Sequence, residues 1–217
     1  MEQKICIVIA TKDSESIDKC LESTKIISVP FDLYIVDNSS SDQQYFETAE
    51  QYGTLIKNEP TYEIGAFWKA MEYISTHGSH SSYTHYMLMQ DSMVFVKDLD
   101  FDLSQENTVY AFEHFSGWEL STWNWTSQLA IDFRNISGVD VSRNNFTMFQ
   151  CCTFLCTKHH LSKLKDIKLD SFKPICKRGS ELAERIIGLS FNHINSDLSP
   201  IKLITRHMSK QPHVTRD

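Results

Sequence analysis

The segment KICIVIAT (residues 4–11) decides the fold class, because apolar and β-branched residues fill it almost without interruption. Such a strand is expected where both faces of a parallel sheet are covered. Helix and strand patterns then alternate as helix SESIDKCLESTK (14–25), strand FDLYIVDNSS (31–40), helix SSDQQYFETAEQY (40–52), strand GTLIKNE (53–59), helix YEIGAFWKAMEYIS (62–75) and strand HYMLMQDSMVFV (85–96). The alternation predicts an α/β fold with a Rossmann-like, mostly parallel sheet and helices on both faces.

The composition of the whole chain limits the classes of function. Its 217 residues fit one medium-sized domain, and its net charge of −7 argues against a general nucleic-acid-binding surface. It has no stretch of about 18 apolar residues, so we expect no transmembrane segment. It begins with charged residues rather than a signal peptide, and its six cysteines form no CxxC pair. We therefore expect reduced thiols in a cytoplasmic protein.

The second half of the chain is less regular than the first. Its patterns predict strand NTVYAFEHF (107–115), an aromatic loop SGWELSTWNWTSQLAIDF (116–133), strand NNFTMFQCCTFLCT (144–157), helix KHHLSKLKDI (158–167), helix KRGSELAERIIGLSFNHIN (177–195) and strand SPIKLIT (199–205). No repeat, low-complexity linker or composition shift marks a boundary. We therefore expect a single domain over residues 1–217.

Polar residues follow the predicted strands at their carboxyl ends, where open α/β sheets bind their ligands. They are Thr11, Lys12, Asp13, Asp37, Asn38, Ser39, Asn58, Glu59, Gln90, Asp91 and Ser92. The chain lacks GxGxxG, GxxxxGK[ST] and GxSxG motifs. This argues against a Rossmann dinucleotide site, a P-loop and a hydrolase nucleophile elbow.

Two of these carboxylates each allow two interpretations. Asp37 in YIVDNSS either closes a turn or accepts hydrogen bonds from a base or ribose. Asp91 interrupts an apolar run, so we predict a buried strand carboxylate rather than a loop residue. It is either satisfied by backbone amides or a lysine, or it holds Mg²⁺ or Mn²⁺ against a diphosphate. Its place at a strand end favours the second interpretation.

The order of motifs KICIVIAT, DLYIVDNSS, NEPTYEIGAFWKAMEYI and YMLMQDSMVFV resembles a GT-A glycosyltransferase, close to the family-2 type. The resemblance implies a nucleotide-sugar-binding half over residues 1–97 and an acceptor-binding half over 98–217. It implies that donor contacts come from Ala10, Thr11, Lys12, Asp37, Asn38, Asn58, Gly65, Gln90 and Asp91. The implied activity is transfer of a sugar from a nucleotide-diphosphate donor to a hydroxyl acceptor, with inversion, as in polysaccharide biosynthesis. The alternative is a non-catalytic nucleotide- or sugar-binding protein.

The resemblance also extends to the second half of the chain. The segment RGSELAERIIGL is similar to the acidic motif whose carboxylate deprotonates the acceptor, with Glu181 as the first candidate and Glu184 as the second. Gly179 and Ser180 are expected to precede the regular helix, so Glu181 would also be a first-turn acid that complements the helix dipole, and both roles can hold. Cys151 and Cys152 stand where the family has glycine, and the resemblance places Cys152 on the acceptor side. They are small enough for a close approach but poorly suited to positive φ.

The expected metal motif is incomplete. Where the family has Asp-x-Asp, this chain has Gln90, Asp91 and Ser92. The resemblance implies a Mn²⁺ or Mg²⁺ site at Asp91 and Ser92, completed by His207. The other possibility is that cations neutralise the diphosphate, and the candidates are Arg206, His207, Lys210, His213, Arg216 and Lys12.

The aromatic stretch YAFEHFSGWELSTWNW supplies rings on which a sugar face could pack. We therefore consider Trp118, Trp123 and Trp125 as acceptor contacts. Equally, these tryptophans could anchor the loop to the core.

Overall fold

The computed structural model describes residues 3–12, 16–41, 43–78, 82–100, 102–104, 108–112, 114–116, 126–139, 147–194, 202–204 and 206–211. The helices are α1 (Ile17–Ser23), α2 (Gln43–Tyr52), α3 (Glu63–Thr76), α4 (Thr126–Ser137), α5 (Lys158–Asp166) and α6 (Lys177–Ile194). The strands are β1 (Ile5–Thr11), β2 (Phe31–Asp37), β3 (Thr54–Lys57), β4 (His85–Gln90), β5 (Met93–Phe95), β6 (Tyr110–Ala111), β7 (His114–Ser116), β8 (Thr147–Phe149), β9 (Phe154–Thr157), β10 (Lys202–Leu203) and β11 (Met208–Lys210).

The main sheet has seven strands in the order β10-β6-β9-β4-β1-β2-β3. Strand β9 runs antiparallel to both of its neighbours, whereas the other pairs in this sheet are parallel. The predicted mostly parallel sheet is therefore confirmed, with β9 as its antiparallel member. Strands from both halves of the chain share this sheet.

Helices cover both faces of the sheet, as predicted. Strand β1 shows this directly, because its alternate residues enter different clusters of buried side chains. Cys6, Val8 and Ala10 pack with residues of α3, α5 and α6, whereas Ile5, Ile7 and Ile9 pack with residues of α1 and α2. The apolar face predicted for the third helix is buried throughout, and it comprises Ile64, Phe67, Trp68, Met71 and Ile74.

The prediction of one continuous strand over residues 85–96 is wrong. Strand β4 ends at Gln90, and Asp91 and Ser92 form a turn. Strand β5 then leaves the main sheet and pairs antiparallel with β11. Asp91 is thus a turn residue, although it is buried as expected, with 7% of its surface exposed. The residues on both sides of the turn are mostly apolar, although they belong to separate strands. The sequence pattern therefore resembles that of one continuous strand.

Four further expectations for the second half need correction. The strand predicted over residues 107–115 is divided between β6 in the main sheet and β7, which pairs with β8. Residues Thr126–Ser137 form helix α4, although we predicted an aromatic loop there. Strand 144–157 is divided into β8 and β9 by a 3-10 turn at Gln150–Cys152. Helix α6 begins at Lys177, so Glu181 lies beyond its first turn and does not act as the predicted first-turn acid.

Within the described residues, no helix has both the length and the apolar character needed to cross a membrane.

Candidate functional site

The site is organised around the point where the strand order reverses. Strand β1 lies between β2 and β4. The chain passes from β1 to β2 on one side of β1, and later from β3 to β4 on the other side. Ligands of open α/β sheets bind in the crevice that this reversal leaves at the carboxyl ends of the strands. Here Ala10 pairs with Gln90, and the Asp91 N–H donates to the Ala10 carbonyl at 3.2 Å. The predicted residues Ala10, Gln90 and Asp91 therefore meet at this crevice.

Asp37 closes the turn that follows β2. Both of its carboxylate oxygens accept from the Ser40 N–H, at 3.0 and 3.2 Å. Ser39 between them adopts a left-handed conformation with φ of 68°. The turn interpretation of Asp37 is therefore correct for this structure. The side chain is only 2% exposed, so its contact with a base or ribose stays a prediction.

Asn38, Asn58 and Thr61 form a hydrogen-bonded cluster beside this turn. The Asn58 amide nitrogen donates to Asn38 Oδ1 at 3.0 Å and to the Thr61 hydroxyl at 2.8 Å. The Thr61 hydroxyl in turn donates to Asn38 Oδ1 at 3.2 Å. Gly65 leaves room for Thr61, since a Cβ on it would lie 2.7 Å from Thr61 Cβ. The structure thus gathers Asn38, Asn58 and Gly65 as expected and adds Thr61, which the sequence did not single out.

Thr11 presents a buried hydroxyl at the end of β1. Thr11 pairs with Asp37 across β1 and β2, and 3% of its surface is exposed. Among the described residues, its Oγ1 has no hydrogen-bond partner. A buried hydroxyl without a partner costs free energy, so this atom is a candidate for ligand contact. Lys12, the next residue, is exposed.

Glu63 connects the end of β4 to helix α6. One of its oxygens accepts from the Gln90 amide at 2.7 Å, and the other accepts from the Ser180 hydroxyl at 2.9 Å. Burial raises the pKa of Glu63, and nearby Asp91 raises it further, although hydrogen bonds from its own backbone, from Ser180 and from Gln90 oppose this. We did not identify Glu63 from the sequence. The only signal was an acid at the start of an apolar helix, which usually marks a helix terminus.

Cys151 and Cys152 form a strained turn between β8 and β9. Both adopt left-handed conformations, with φ of 56° and 51°. The expectation that cysteine would avoid positive φ here is therefore wrong, and the close packing around the turn accounts for it. Cys152 is fully buried and Cys151 is 3% exposed. Cys152 thus packs in the core, and its acceptor contact stays a prediction.

Glu184 holds this cysteine turn. Its carboxylate accepts from the Cys151 N–H at 2.7 Å. Burial raises the pKa of Glu184, and Glu63 raises it further, while the Cys151 N–H, Arg185 and Lys210 oppose the shift. Its partial burial and raised pKa make Glu184 a candidate for proton transfer. Glu181, the first candidate from the sequence, accepts from Arg185 through its backbone carbonyl, and no hydrogen bond of its carboxylate is seen among the described residues. The geometry therefore favours Glu184 over Glu181 as the candidate for proton transfer.

Strand β11 carries Lys210, whose side chain lies beside the turn formed by Cys151 and Cys152. Lys210 pairs with Met93 in β5, and the Gln211 N–H donates to the Ser92 carbonyl at 2.7 Å. The Lys210 ammonium lies 3.3 Å from Cys151 Sγ, to which it donates a hydrogen bond. Lys210 thus sits between the turn that follows β4 and the cysteine turn.

Two of the residues expected to bind a metal, Ser92 and His207, make hydrogen bonds with other protein groups. Gln90 is bonded to Glu63, and the Ser92 hydroxyl donates to Gln90 at 3.3 Å. His207 donates through Nδ1 to the Asp98 carbonyl at 2.6 Å. Across the described part of the chain, no three His, Cys, Asp or Glu side chains group as metal ligands. Asp91 is the one carboxylate of the segment Gln90–Asp91–Ser92, and a metal that also binds substrate phosphates needs one or two carboxylates from the protein. The metal stays a prediction.

The predicted acceptor tryptophans Trp118, Trp123 and Trp125 lie outside the described residues, as do His213 and Arg216.

Comparison with known proteins found no family model that matches this chain and no matching curated protein.

Proposed function

We propose that this protein is a GT-A-type glycosyltransferase that moves a sugar from a nucleotide-diphosphate donor to a hydroxyl acceptor, with inversion. One observation carries the proposal. The chain Gln90–Glu63–Ser180 connects the end of β4 to the helix that bears Glu184. This chain supports the proposal, because it links polar groups at the carboxyl ends of the strands, where ligands of such sheets bind, to the helix that carries the proposed base.

The donor side supports a nucleotide. Thr11, Asn38 and Asn58 offer hydroxyl and amide groups at the carboxyl ends of β1, β2 and β3. Such groups can recognise a base and a ribose through directed hydrogen bonds. The net charge of −7 agrees with a small charged ligand in a local pocket rather than a polyanion on the surface.

In the proposed reaction, Glu184 takes the proton of the acceptor hydroxyl as that oxygen attacks the anomeric carbon. The bond between the anomeric carbon and the diphosphate oxygen breaks, and its electron pair leaves with the diphosphate. The Cys151 N–H keeps Glu184 in place for this step.

Calorimetry with a panel of UDP, GDP, CDP and dTDP, each with Mn²⁺ and with EDTA, tests the donor side. We expect one nucleotide to bind, and Asn38→Ala to weaken it about tenfold because the cluster with Asn58 and Thr61 is lost. Asn135→Ala, on an exposed position of α4, is the matched control and should leave affinity unchanged. If no nucleotide binds under either condition, the proposal is wrong.

The second candidate is a binding protein of the same fold without turnover. The replacement of expected carboxylates by Gln90 and Ser92 favours it. It predicts nucleotide binding without donor hydrolysis or sugar transfer.

A further inference from the structure

We infer that Lys210 stabilises the leaving diphosphate in place of a divalent cation, so that donor binding needs no metal. The inference depends on the proposed function and concerns the same site. In the segment that stands in place of Asp-x-Asp, Asp91 is the one carboxylate, because its neighbours are Gln90 and Ser92. A transferase still has to neutralise the charge that develops when a diphosphate leaves, and a protein cation can do so.

The position of Lys210 follows from the pairing of its strand. Strand β11 runs antiparallel to β5, the strand that follows the turn at Asp91 and Ser92. The Gln211 amide reaches the carbonyl of Asp91 at 3.5 Å and that of Ser16 at 3.2 Å. The pairing of β11 with β5 and the side-chain hydrogen bonds of Gln211 therefore hold Lys210 beside the crevice.

The ammonium group of Lys210 can be recruited by a ligand. It donates to Cys151 Sγ at 3.3 Å, and a thiol is a weak acceptor. Lys210 also lowers the pKa of both Cys151 and Glu184, so its charge acts on the region of the proposed base. A diphosphate oxygen is a much stronger acceptor than the thiol and would replace it.

In the transfer step, Lys210 keeps its proton. The electron pair of the broken carbon–oxygen bond stays on the diphosphate oxygen, and the ammonium N–H donates a hydrogen bond to that oxygen. The acceptor proton goes to Glu184. No metal, oxidant or further reactant enters this balance.

The experiment measures binding of the nucleotide diphosphate from the panel in EDTA and in Mn²⁺. We expect the wild-type affinity in EDTA to be within about threefold of that in Mn²⁺. Lys210→Met should lower it by about 10- to 100-fold, and Lys210→Arg should restore most of it. Lys69→Met, on α3 where the lysine forms an ion pair with Glu72, is the matched control and should have no effect.

A second measurement separates a charge role from a structural one. The Lys210→Met variant should retain the wild-type melting temperature and circular dichroism spectrum while its diphosphate affinity falls. The corresponding nucleoside, which has no phosphate, should bind wild type and Lys210→Met equally.

Three results would overturn the inference. Binding only with Mn²⁺ would leave the proposed function in place and remove the role of Lys210. A loss of EDTA-resistant binding in Lys12→Met, but not in Lys210→Met, would assign the charge to Lys12 instead. An absence of nucleotide binding in all conditions would remove the proposed function as well.

Discussion

The Glu184 carboxylate accepts a hydrogen bond from the Cys151 N–H at 2.7 Å and so joins helix α6 to a left-handed turn. This contact distinguishes Glu184 from Glu181, which lies one helical turn earlier. We expect Glu184→Gln to lower the rate of sugar transfer by about 10²- to 10⁴-fold, the usual contribution of a general base. Glu181→Gln should stay within about threefold of wild type. Transfer of labelled sugar at saturating donor measures both.

The glutamine retains an oxygen that can accept from Cys151, so donor affinity should not change in Glu184→Gln. The reverse result, in which Glu181→Gln abolishes transfer and Glu184→Gln does not, would assign the base to Glu181. A non-catalytic binding protein would show no transfer even as wild type.

The pH dependence of transfer should report the environment of Glu184. Burial raises the pKa of this group above its ordinary value of 4.5, and only the ionised form can accept a proton. Activity should therefore fall as the pH is lowered through this raised pKa, at a higher pH than for an exposed carboxyl group. Because Lys210 lowers this pKa, the acidic limb in Lys210→Met should move to still higher pH. An unchanged limb would show that Lys210 and Glu184 are not coupled.

His85 predicts an acid-sensitive fold that is independent of function. Burial lowers the pKa of His85 from 6.5 to about 4. Between pH 4 and 6.5 the unfolded state binds the proton and the folded state does not, so the free energy of unfolding rises with pH in this window. The full effect is on the order of 3 kcal/mol. Urea titrations of wild type and His85→Asn should differ in slope across this window.

His193→Asn is the control for His85→Asn, because His193 is an exposed position near the end of α6. Its stability should follow the wild-type dependence on pH. Equal slopes for wild type and His85→Asn would contradict the prediction.

The left-handed conformation of Cys151 should be measurable as strain. Non-glycine residues lose roughly 1–2 kcal/mol in this conformation. Cys151→Ala removes the sulfur but keeps the strain, whereas Cys151→Gly removes both. We expect Cys151→Gly to be more stable than Cys151→Ala by about 1 kcal/mol in urea unfolding. Equal stability of the two variants would show that the turn stores no such strain.

Gly65 and Thr61 should be coupled. Alanine in place of glycine usually stabilises a helix by about 1 kcal/mol. Here the added Cβ would meet Thr61 at 2.7 Å, so we expect Gly65→Ala to destabilise the protein by about 1–3 kcal/mol and to weaken nucleotide binding. The loss should shrink in a Thr61→Gly background, as a double-mutant cycle of unfolding free energies would measure. Additive effects would contradict the contact.

The N-terminal half of the fold could be predicted from the sequence because its signals are local. Apolar runs predicted β1 and β2, and the helical spacing of apolar residues predicted the buried face of α3. The break after Gln90 could not be predicted, since buried residues on either side of it serve two different sheets. The pairing of β5 with β11 spans more than a hundred residues and leaves no local pattern.

The polar residues at the strand ends could be predicted from the sequence, whereas the properties of the two buried glutamates could not. Strand ends locate Thr11, Asn38, Asn58 and Asp91 through a general rule for parallel sheets. Glu63 and Glu184 acquire their properties from tertiary contacts with Ser180 and Cys151, which no spacing in the chain encodes. The left-handed cysteines were unexpected because local preference opposes them and packing decides the outcome.

The place of β9 in the sheet has a consequence for how the chain acquires its structure. Strand β9 lies between β4 and β6, yet it follows both of them in the chain. During synthesis, β4 therefore exposes an unpaired edge until Phe154–Thr157 has emerged, and β6 can join the sheet only afterwards. This long interval exposes a strand edge that invites association with other chains. The nascent protein should be most vulnerable to aggregation, and most dependent on chaperones, while residues 91–157 are being made.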